Sequence, residues 1–302
     1  MTSAGVAADL AADTAVRADA ATPGRYAVAL PGHWDYMLPS GGVTMTCALR
    51  AAAAELADPA LALVSATTIF AAPIHPGALT ADVHVIRKGG ATAQVRVVLR
   101  HVQARNVEPG LELVATFARD RRGPDVRARD FPAWARPLAD ARAVDDGAPN
   151  NPHERFRFYH QLECRIADGP AFWQDGFADG PARYARWFRY KVPQRDREGR
   201  FDRLALPPII DTMPTALHRA VGPGEYRFYA PSLDLTVYPI EDTTREWLLV
   251  AVELPRAHGG TGVGTAEVWD EDHRLVAWGS QVMYLQGLRG EPPAVDARGR
   301  SG

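Results

Sequence analysis

The chain has 302 residues, 46% of them hydrophobic and 23% charged. This is the composition of an ordinary globular protein, and the length suits one large domain or two fused ones. The formal net charge is -2, from 34 Lys and Arg against 36 Asp and Glu. Because no stretch concentrates basic residues, as surfaces that bind phosphate backbones do, we expect no nucleic-acid partner.

The cysteine content and the apolar runs indicate a cellular location. Cys47 and Cys164 are far apart and lack the spacing of a zinc site, so we expect two free thiols in a reducing compartment. Residues 1–24 lack the basic start and apolar run of a secretory signal, and no stretch approaches the ~20 apolar residues of a membrane span. These patterns predict a cytoplasmic protein with no membrane partner.

The first predicted elements are a leader, a strand and a helix. Residues 1–22 carry few large apolar groups, which predicts a flexible leader. Apolar residues alternate with small or polar ones over 25–30, which predicts a strand. The run VTMTCALRAAAAELAD contains neither proline nor glycine, and it is entered through Ser40, Gly41 and Gly42, which together predict a helix. Further alternating segments predict strands over 62–71, 79–86, 93–100 and 111–117.

The second half repeats this order. Residues 119–154 are rich in proline and charge, so we interpret them as a connector, with Phe131 and Trp134 packing on a domain. Beyond it, the pattern predicts extended segments, a short helix over 207–220 with Asp211 at its cap, and four more strands. The extended segments and strands are 156–165, 182–192, 227–238, 246–254, 262–270 and 274–285. The repeated order predicts an α+β protein with two antiparallel sheets, each wrapped around a helix.

Four stretches carry a resemblance to a known family. They are GGVTMTCALRAAAAEL, TIFAAPIHPGALTADVHVIRKGGATAQVRVVLR, SLDLTVYPIEDTTREWLLVAVE and GTAEVWDEDHRLVAWGSQVMYL. In this order they resemble double hotdog acyl-CoA thioesterases, similar to medium-chain thioesterase II of the thioesterase-like superfamily. The resemblance implies a tandem hotdog fold, with one hotdog over 23–118 and a second over 155–288. We expect residues 289–302 to form a flexible tail. It also implies an acyl-CoA or acyl-carrier thioester substrate and a monomer or homodimer.

The resemblance implies a catalytic aspartate, a glutamine and a hydroxyl residue at the junction of the two halves. Carried over by position, the aspartate is Asp234 and the glutamine is Gln281. The place of the hydroxyl, after the strand that ends at Leu254, holds Pro255 and Arg256, with His258 slightly further on. In thioester hydrolysis Asp234 would take a proton from water and Gln281 would orient that water. Burial would have to raise the pKa of Asp234 for this role.

The start of the first helix is the predicted binding site for the thioester oxygen. The amides of Gly42 and Val43 have no partner within the helix, and the helix dipole places positive charge there. Gly41 and Gly42 would let a substrate approach the backbone closely, and His258 could replace the missing hydroxyl. The structural alternatives are that the glycine pair only begins a packed helix, that Asp234 is solvated, and that Gln281 bonds to backbone.

Two other functions remain open from the sequence. The segment APIHPG at 72–77 resembles the core motif of hotdog hydratases, which would make His75 an acid or base for water addition. However, it follows the helix, whereas in hydratases the motif precedes it. A non-hydrolytic protein that binds acyl thioesters is the third possibility. Because the sequence contains no phosphate loop, nucleophile elbow or metal-ligand cluster, we expect no metal and no cofactor.

Overall fold

The structure is a computed structural model, and it describes residues 7–103, 109–144, 147–148, 150–174, 177–224 and 226–290. The α-helices in these ranges are α1 (Leu10–Asp13), α2 (Gly41–Leu56), α3 (Pro152–Arg155), α4 (Arg157–His160), α5 (Leu206–Ile210) and α6 (Pro214–Val221). The strands are β1 (Val16–Ala18), β2 (Arg25–Leu30), β3 (Ala62–Phe70), β4 (Gly77–Lys88), β5 (Thr92–His101), β6 (Leu111–Ala118), β7 (Arg142–Ala143), β8 (Leu162–Asp168), β9 (Arg183–Tyr190), β10 (Arg227–Tyr229), β11 (Asp234–Pro239), β12 (Leu248–His258), β13 (Thr261–Asp270), β14 (Leu275–Tyr284) and β15 (Gln286–Arg289).

Thirteen of these strands form one antiparallel sheet. Its order is β1-β2-β4-β5-β6-β3-β11-β14-β13-β12-β9-β8-β7, while β10 pairs separately with β15. At the centre β3 pairs with β11, with Thr68 opposite Leu235 and Ala66 opposite Val237. The two halves of the chain therefore share a continuous sheet.

The internal duplication appears directly in the strand order. Outward from the β3–β11 pair, the first half continues through β6, β5, β4 and β2, and the second through β14, β13, β12 and β9. Each half thus has the same elements in the same order along the chain: a strand, helical structure and four antiparallel strands. The protein has the predicted double hotdog fold.

Strand alternation accounts for the core of each half. In β2 the side chains of Tyr26, Val28 and Leu30 are buried, and the intervening residues are more exposed. The predicted strand over 25–30 is confirmed, because a half-buried strand turns alternate side chains toward the core. In the second half Leu235 and Val237 of β11 are buried in the same way.

Helix α2 lies against β4, β5 and β6, and α6 lies against β9 and β12. The helix predicted over 207–220 is in fact two helices, α5 and α6, separated by Asp211, Thr212 and Met213. Prolines near the start of α5 and at the first position of α6 favour the beginning of a new helix after the break. Helices α2 and α5 contact each other, so the helical elements of the two halves meet at the junction.

The connector covers the outer face of the second half. The ring of Phe131 stacks on Trp187, with 6.2 Å between centroids, and on His273, with 4.0 Å. The indole Nε1 of Trp187 donates a hydrogen bond to the backbone oxygen of Arg136, at 2.9 Å. Trp134 packs against the same cluster of buried side chains. The predicted packing of Phe131 and Trp134 on a domain is confirmed.

The leader is more ordered than the sequence predicts. Leu10 is fully buried, β1 extends the sheet by pairing with β2, and the Trp34 indole donates a hydrogen bond to Asp13 at 2.9 Å. The prediction of a flexible leader is therefore wrong for residues 7–22, because one buried leucine and a strand edge supply contacts that average composition does not reveal. Residues 1–6 and 291–302, at the two predicted flexible ends, lie outside the described residues.

Two further findings concern the helices and the cysteines. In the described part of the chain, every helix is too short or too polar to cross a membrane. Cys47 and Cys164 are free and buried, and burial raises the pKa of each thiol to about 12. Both are thus inert thiols in the core.

Candidate active site

A single buried carboxylate occupies the junction of the two halves. Asp211 lies in the break between α5 and α6, and only 8% of the residue is exposed. Its backbone N–H donates to the oxygen of Pro207 at 2.9 Å, which closes α5 just before the break. The carboxylate is held where the two helical elements meet, and it follows the apolar pair Ile209 and Ile210, both of them buried.

Four donors from both halves surround this carboxylate. Its Oδ2 accepts hydrogen bonds from the backbone N–H of Gly42 at 2.9 Å and from the Ser40 hydroxyl at 3.1 Å. Its Oδ1 accepts from the Ser232 hydroxyl at 2.8 Å and from Nε2 of Gln281 at 2.7 Å. Nε2 of Gln281 also donates to the Ser232 oxygen. Both oxygens of the carboxylate are therefore fixed in position by the fold.

The amide of Gln281 is only partly satisfied. The residue is 1% exposed, and its Oε1 accepts no hydrogen bond from any described residue. An unpaired buried acceptor costs on the order of 1–3 kcal/mol, so such groups in native proteins normally have a partner or a role. The Oε1 atom is thus available to accept a hydrogen bond from a small molecule beside Asp211.

The surroundings shift the acidity of Asp211. Burial raises the pKa of its carboxyl group, and the hydrogen bonds from Gly42, Ser232, Ser40 and Gln281 oppose this without cancelling it. A raised pKa makes a carboxylate a better proton acceptor near neutral pH than an exposed aspartate. Among the described residues no three His, Cys, Asp or Glu side chains lie close enough together to hold a metal ion.

The glycine pair at the start of α2 permits this arrangement. A Cβ on Gly42 would lie 2.6 Å from Cα of Pro208, and a Cβ on Gly41 would lie 2.8 Å from Cζ of Phe70 and 3.1 Å from Oδ2 of Asp211. Only residues without a side chain allow α2 to approach α5 and the carboxylate so closely.

The amides predicted to bind the thioester oxygen are already engaged. The N–H of Gly42 donates to Asp211, and the N–H of Val43 donates to the oxygen of Ser40 at 3.0 Å. The N–H of Gly41, the first of α2, donates to no described residue. Of the three predicted positions, Gly41 is therefore the one whose amide can receive a ligand.

The structure does not bring Asp234 to Gln281, although the sequence predicts that the two work together. Asp234 begins β11 and accepts a hydrogen bond from the backbone N–H of Val282 at 2.8 Å. Along β11 and β14 the core-facing residues are buried, and they include Leu235 and Gln281. Asp234 and Gln281 therefore lie on opposite faces of the sheet. The carboxylate that contacts Gln281 is that of Asp211.

The two histidines considered from the sequence lie apart from this cluster. His258 ends β12 and is exposed, with its backbone oxygen accepting from the Thr261 hydroxyl at 3.1 Å. His75 is exposed in the loop between β3 and β4. Neither side chain hydrogen bonds to Asp211 among the described residues.

Sequence reasoning missed Asp211, Ser232 and Ser40 as site residues. The sequence pattern predicts only a helix cap at Asp211, yet this residue is the single acid in the apolar run LPPIIDTMPTAL. A lone acid in such a run is the signal that could have identified it, because a buried carboxylate needs several donors. Ser232 also supplies a hydroxyl near Gln281, so the hydroxyl expected after Leu254 lies instead before β11.

Comparison with known proteins gives the same architecture. Residues 30–118 match the N-terminal domain of the acyl-CoA thioesterase family, and residues 135–285 match its C-terminal domain. No curated protein matches the chain.

Solved structures agree at low sequence identity. A hot dog fold protein from Alicyclobacillus acidocaldarius has a TM-score of 0.74 and 20% identity, over 93% of this chain and 99% of its own. An acyl-CoA thioesterase II from Mycobacterium marinum has a TM-score of 0.66 and 18% identity, over 94% of this chain and 100% of its own. Since the two domain matches together span most of the chain, in the order that the duplicated sheet requires, this protein belongs to the acyl-CoA thioesterase family.

Proposed function

We propose that this protein hydrolyses an acyl thioester, using a water molecule held between Asp211 and Gln281. The observation that carries the proposal is the buried carboxylate of Asp211, fixed by four donors beside an amide oxygen that has no partner. Family membership supports an acyl-CoA thioester, or the same acyl group on a carrier protein, as substrate.

The proposed reaction begins with a proton transfer. The four donors fill the lone-pair sites of the carboxylate, so the attacking water takes the place of the Ser40 hydroxyl, the longest of the four hydrogen bonds, on Oδ2 of Asp211. The water donates its other hydrogen bond to Oε1 of Gln281, which leaves a lone pair directed at the thioester carbon. Asp211 accepts the proton as the water oxygen bonds to that carbon. When the carbon–sulfur bond breaks, the thiolate takes the proton from Asp211. The products are a carboxylic acid and a free thiol, and the carboxylate is regenerated.

The other residues of the cluster have positioning roles in this proposal. The Ser232 hydroxyl and the Gly42 N–H each donate to one oxygen of Asp211, so the carboxylate cannot rotate away from the water. The N–H of Gly41, at the positive end of the α2 dipole, would stabilise negative charge on the thioester oxygen. We assign the role of base to Asp211 instead of Asp234, because only Asp211 contacts Gln281.

The test is release of free thiol from a panel of acyl-CoA thioesters of different chain lengths. We expect the wild type to release thiol and Asp211→Asn to lower kcat/KM by about 10²–10⁴-fold, the usual contribution of a general base. Asp234→Asn is the matched control, since it makes the same chemical change at a carboxylate on the opposite face. It should retain the wild-type rate of thiol release.

Other outcomes would change the assignment. Loss of activity in Asp234→Asn with normal activity in Asp211→Asn would return the base to Asp234. Acyl-CoA binding without thiol release by the wild type would indicate a binding protein. Hydration of crotonyl-CoA that depends on His75, tested with His75→Ala, would indicate a hydratase.

A further inference from the structure

The core of the second half contains a buried arginine. Arg186 lies on β9 between Tyr184 and Phe188, and only 1% of it is exposed. Its guanidinium carbon lies 4.9 Å from the ring centroid of Phe188, 5.6 Å from that of Tyr184 and 5.3 Å from that of Tyr159. The charge is thus surrounded by aromatic rings and shielded from solvent.

The polar contacts of Arg186 supply no negative charge to balance its positive charge. Its Nη1 donates to the Tyr159 hydroxyl at 3.0 Å and lies 3.4 Å from Nε2 of His153. Burial, with a smaller effect of Arg186, lowers the pKa of His153 to about 2, so this histidine is neutral. Among the residues that the structure describes, Nη2 of Arg186 has no hydrogen-bond partner, and no carboxylate forms a salt bridge with the side chain. Because a buried charge is costly unless it is paired, this site lacks an anion.

One tyrosine connects this site with the candidate active site. The ring of Tyr36 contacts Tyr159 edge-on at 5.5 Å between centroids and stacks on Phe158 at 4.7 Å. Burial raises the pKa of Tyr36 well above its ordinary value, Tyr159 and Asp211 add to the increase, and Arg186 opposes it. Tyr36 lies four residues before Ser40, whose hydroxyl donates to Asp211 at 3.1 Å, so one short segment runs from the rings around Arg186 to the carboxylate of the candidate active site.

We infer that Arg186 binds a carboxylate at the far end of a short acyl chain whose thioester lies at Asp211. The substrates would then be thioesters of dicarboxylic acids, with one carboxyl group joined to sulfur and the other free. The free carboxylate would accept a hydrogen bond from Nη2 of Arg186 and supply the missing negative charge. This inference deepens the proposed function and rests on it for the position of the thioester.

The test compares thioesters that differ only at the end of the chain. Thiol release is measured for succinyl-CoA against butyryl-CoA, glutaryl-CoA against valeryl-CoA and adipyl-CoA against hexanoyl-CoA, with kcat/KM determined for each. The wild type should prefer the carboxylate-ended member of at least one pair. Arg186→Met should lower that preference by about 10- to 100-fold, the value of a hydrogen bond to a charged group.

The control variant is Arg189→Met, which removes an arginine from the same strand. Arg189 is half-buried on the opposite face of β9 from Arg186, where it pairs with Glu163 at 2.7 Å and lies over the Trp247 ring, so its loss should leave the preference unchanged. We expect Arg186→Met to fold, because it replaces an unpaired buried charge with an apolar side chain of similar length.

A second measurement needs no hydrolysis. Glutarate should raise the unfolding temperature of the wild type more than valerate does, and Arg186→Met should abolish the difference. If thiol is released but the methyl-ended member is preferred in every pair, or if Arg186→Met keeps the wild-type preference, the inference is wrong and the proposed function stands. If no thioester is cleaved but glutarate stabilises the wild type through Arg186, the anion site stands and hydrolysis is wrong. If Arg186→Met does not fold, the inference is tested by the wild type alone, through its preference within each pair of thioesters and through the difference in stabilisation between glutarate and valerate.

Discussion

The close approach of α2 and α5 predicts a large effect of adding a single methyl group. In Gly42→Ala the new Cβ would lie 2.5 Å from the carbonyl carbon of Pro207 and 2.6 Å from Cα of Pro208. These are backbone atoms of adjacent prolines, so they cannot rotate away as a side chain would. Overpacking of this kind costs typically 1–3 kcal/mol, and we expect the upper end here. Alanine recovers about 1 kcal/mol of helix propensity over glycine, which leaves a net loss of about 2 kcal/mol.

The loss should appear in both stability and activity. For a chain of this length 2 kcal/mol corresponds to a decrease of roughly 4 °C in the unfolding temperature, measured by circular dichroism. Because the N–H of Gly42 holds Asp211, the displaced helix should also lower kcat/KM for thioester hydrolysis, and a shift of about 1 Å can cost 10²-fold. Gly90→Ala is the control, since its Cβ would meet no atom within 4 Å. If Gly42→Ala keeps the stability and activity of the wild type, the close contact between α2 and α5 is refuted.

Three further predictions concern the pH dependence of the wild type, a substitution of Gln281 and a substitution in the leader. Burial raises the pKa of Asp211, so thiol release should decline as the pH falls, beginning at a higher pH than the ordinary pKa of an aspartate. The same shift should make the folded state more stable as the pH falls through this range, since the folded state binds the proton more tightly than the unfolded state does. Gln281→Glu places a second carboxyl group beside Asp211 and should move the acid limb of the kcat/KM profile upward by about one unit or more; an unchanged limb would contradict Asp211 as base. Leu10→Ala should lower the free energy of unfolding by about 2–5 kcal/mol, because Leu10 is fully buried, and a loss under 1 kcal/mol in urea titration would show that residues 7–22 are dispensable.

The sequence predicted the fold well because the fold depends on local periodicity. Tyr26, Val28 and Leu30 alternate without interruption, and the predicted strand has the observed bounds. The predicted α2 begins close to its observed start because Ser40, Gly41 and Gly42 mark the entry. The prediction for the leader is wrong because its order depends on a few specific contacts, the burial of Leu10 and the pairing of β1 with β2, and not on average composition.

The candidate site was predicted only in part, because it depends on distant contacts. Asp211 and Gln281 are 70 positions apart, and Asp211 and Gly42 are 169 apart, so no local pattern joins them. Asp234 was selected through the resemblance, although its own strand already argued against it. It alternates with Leu235, and the buried face of β11 belongs to Leu235.

The two halves of the duplicated fold differ where the candidate site lies. Helix α2 is continuous over 16 residues, whereas the corresponding segment of the second half is broken at Asp211. The break turns a carboxylate toward the start of α2, whose dipole favours negative charge there, while burial disfavours the same charge and so raises the pKa of the carboxyl group. The acid and the amide come from the second half, and the Gly42 donor comes from the first. Residues of both halves therefore contribute to the candidate site, just as strands of both halves contribute to the continuous sheet.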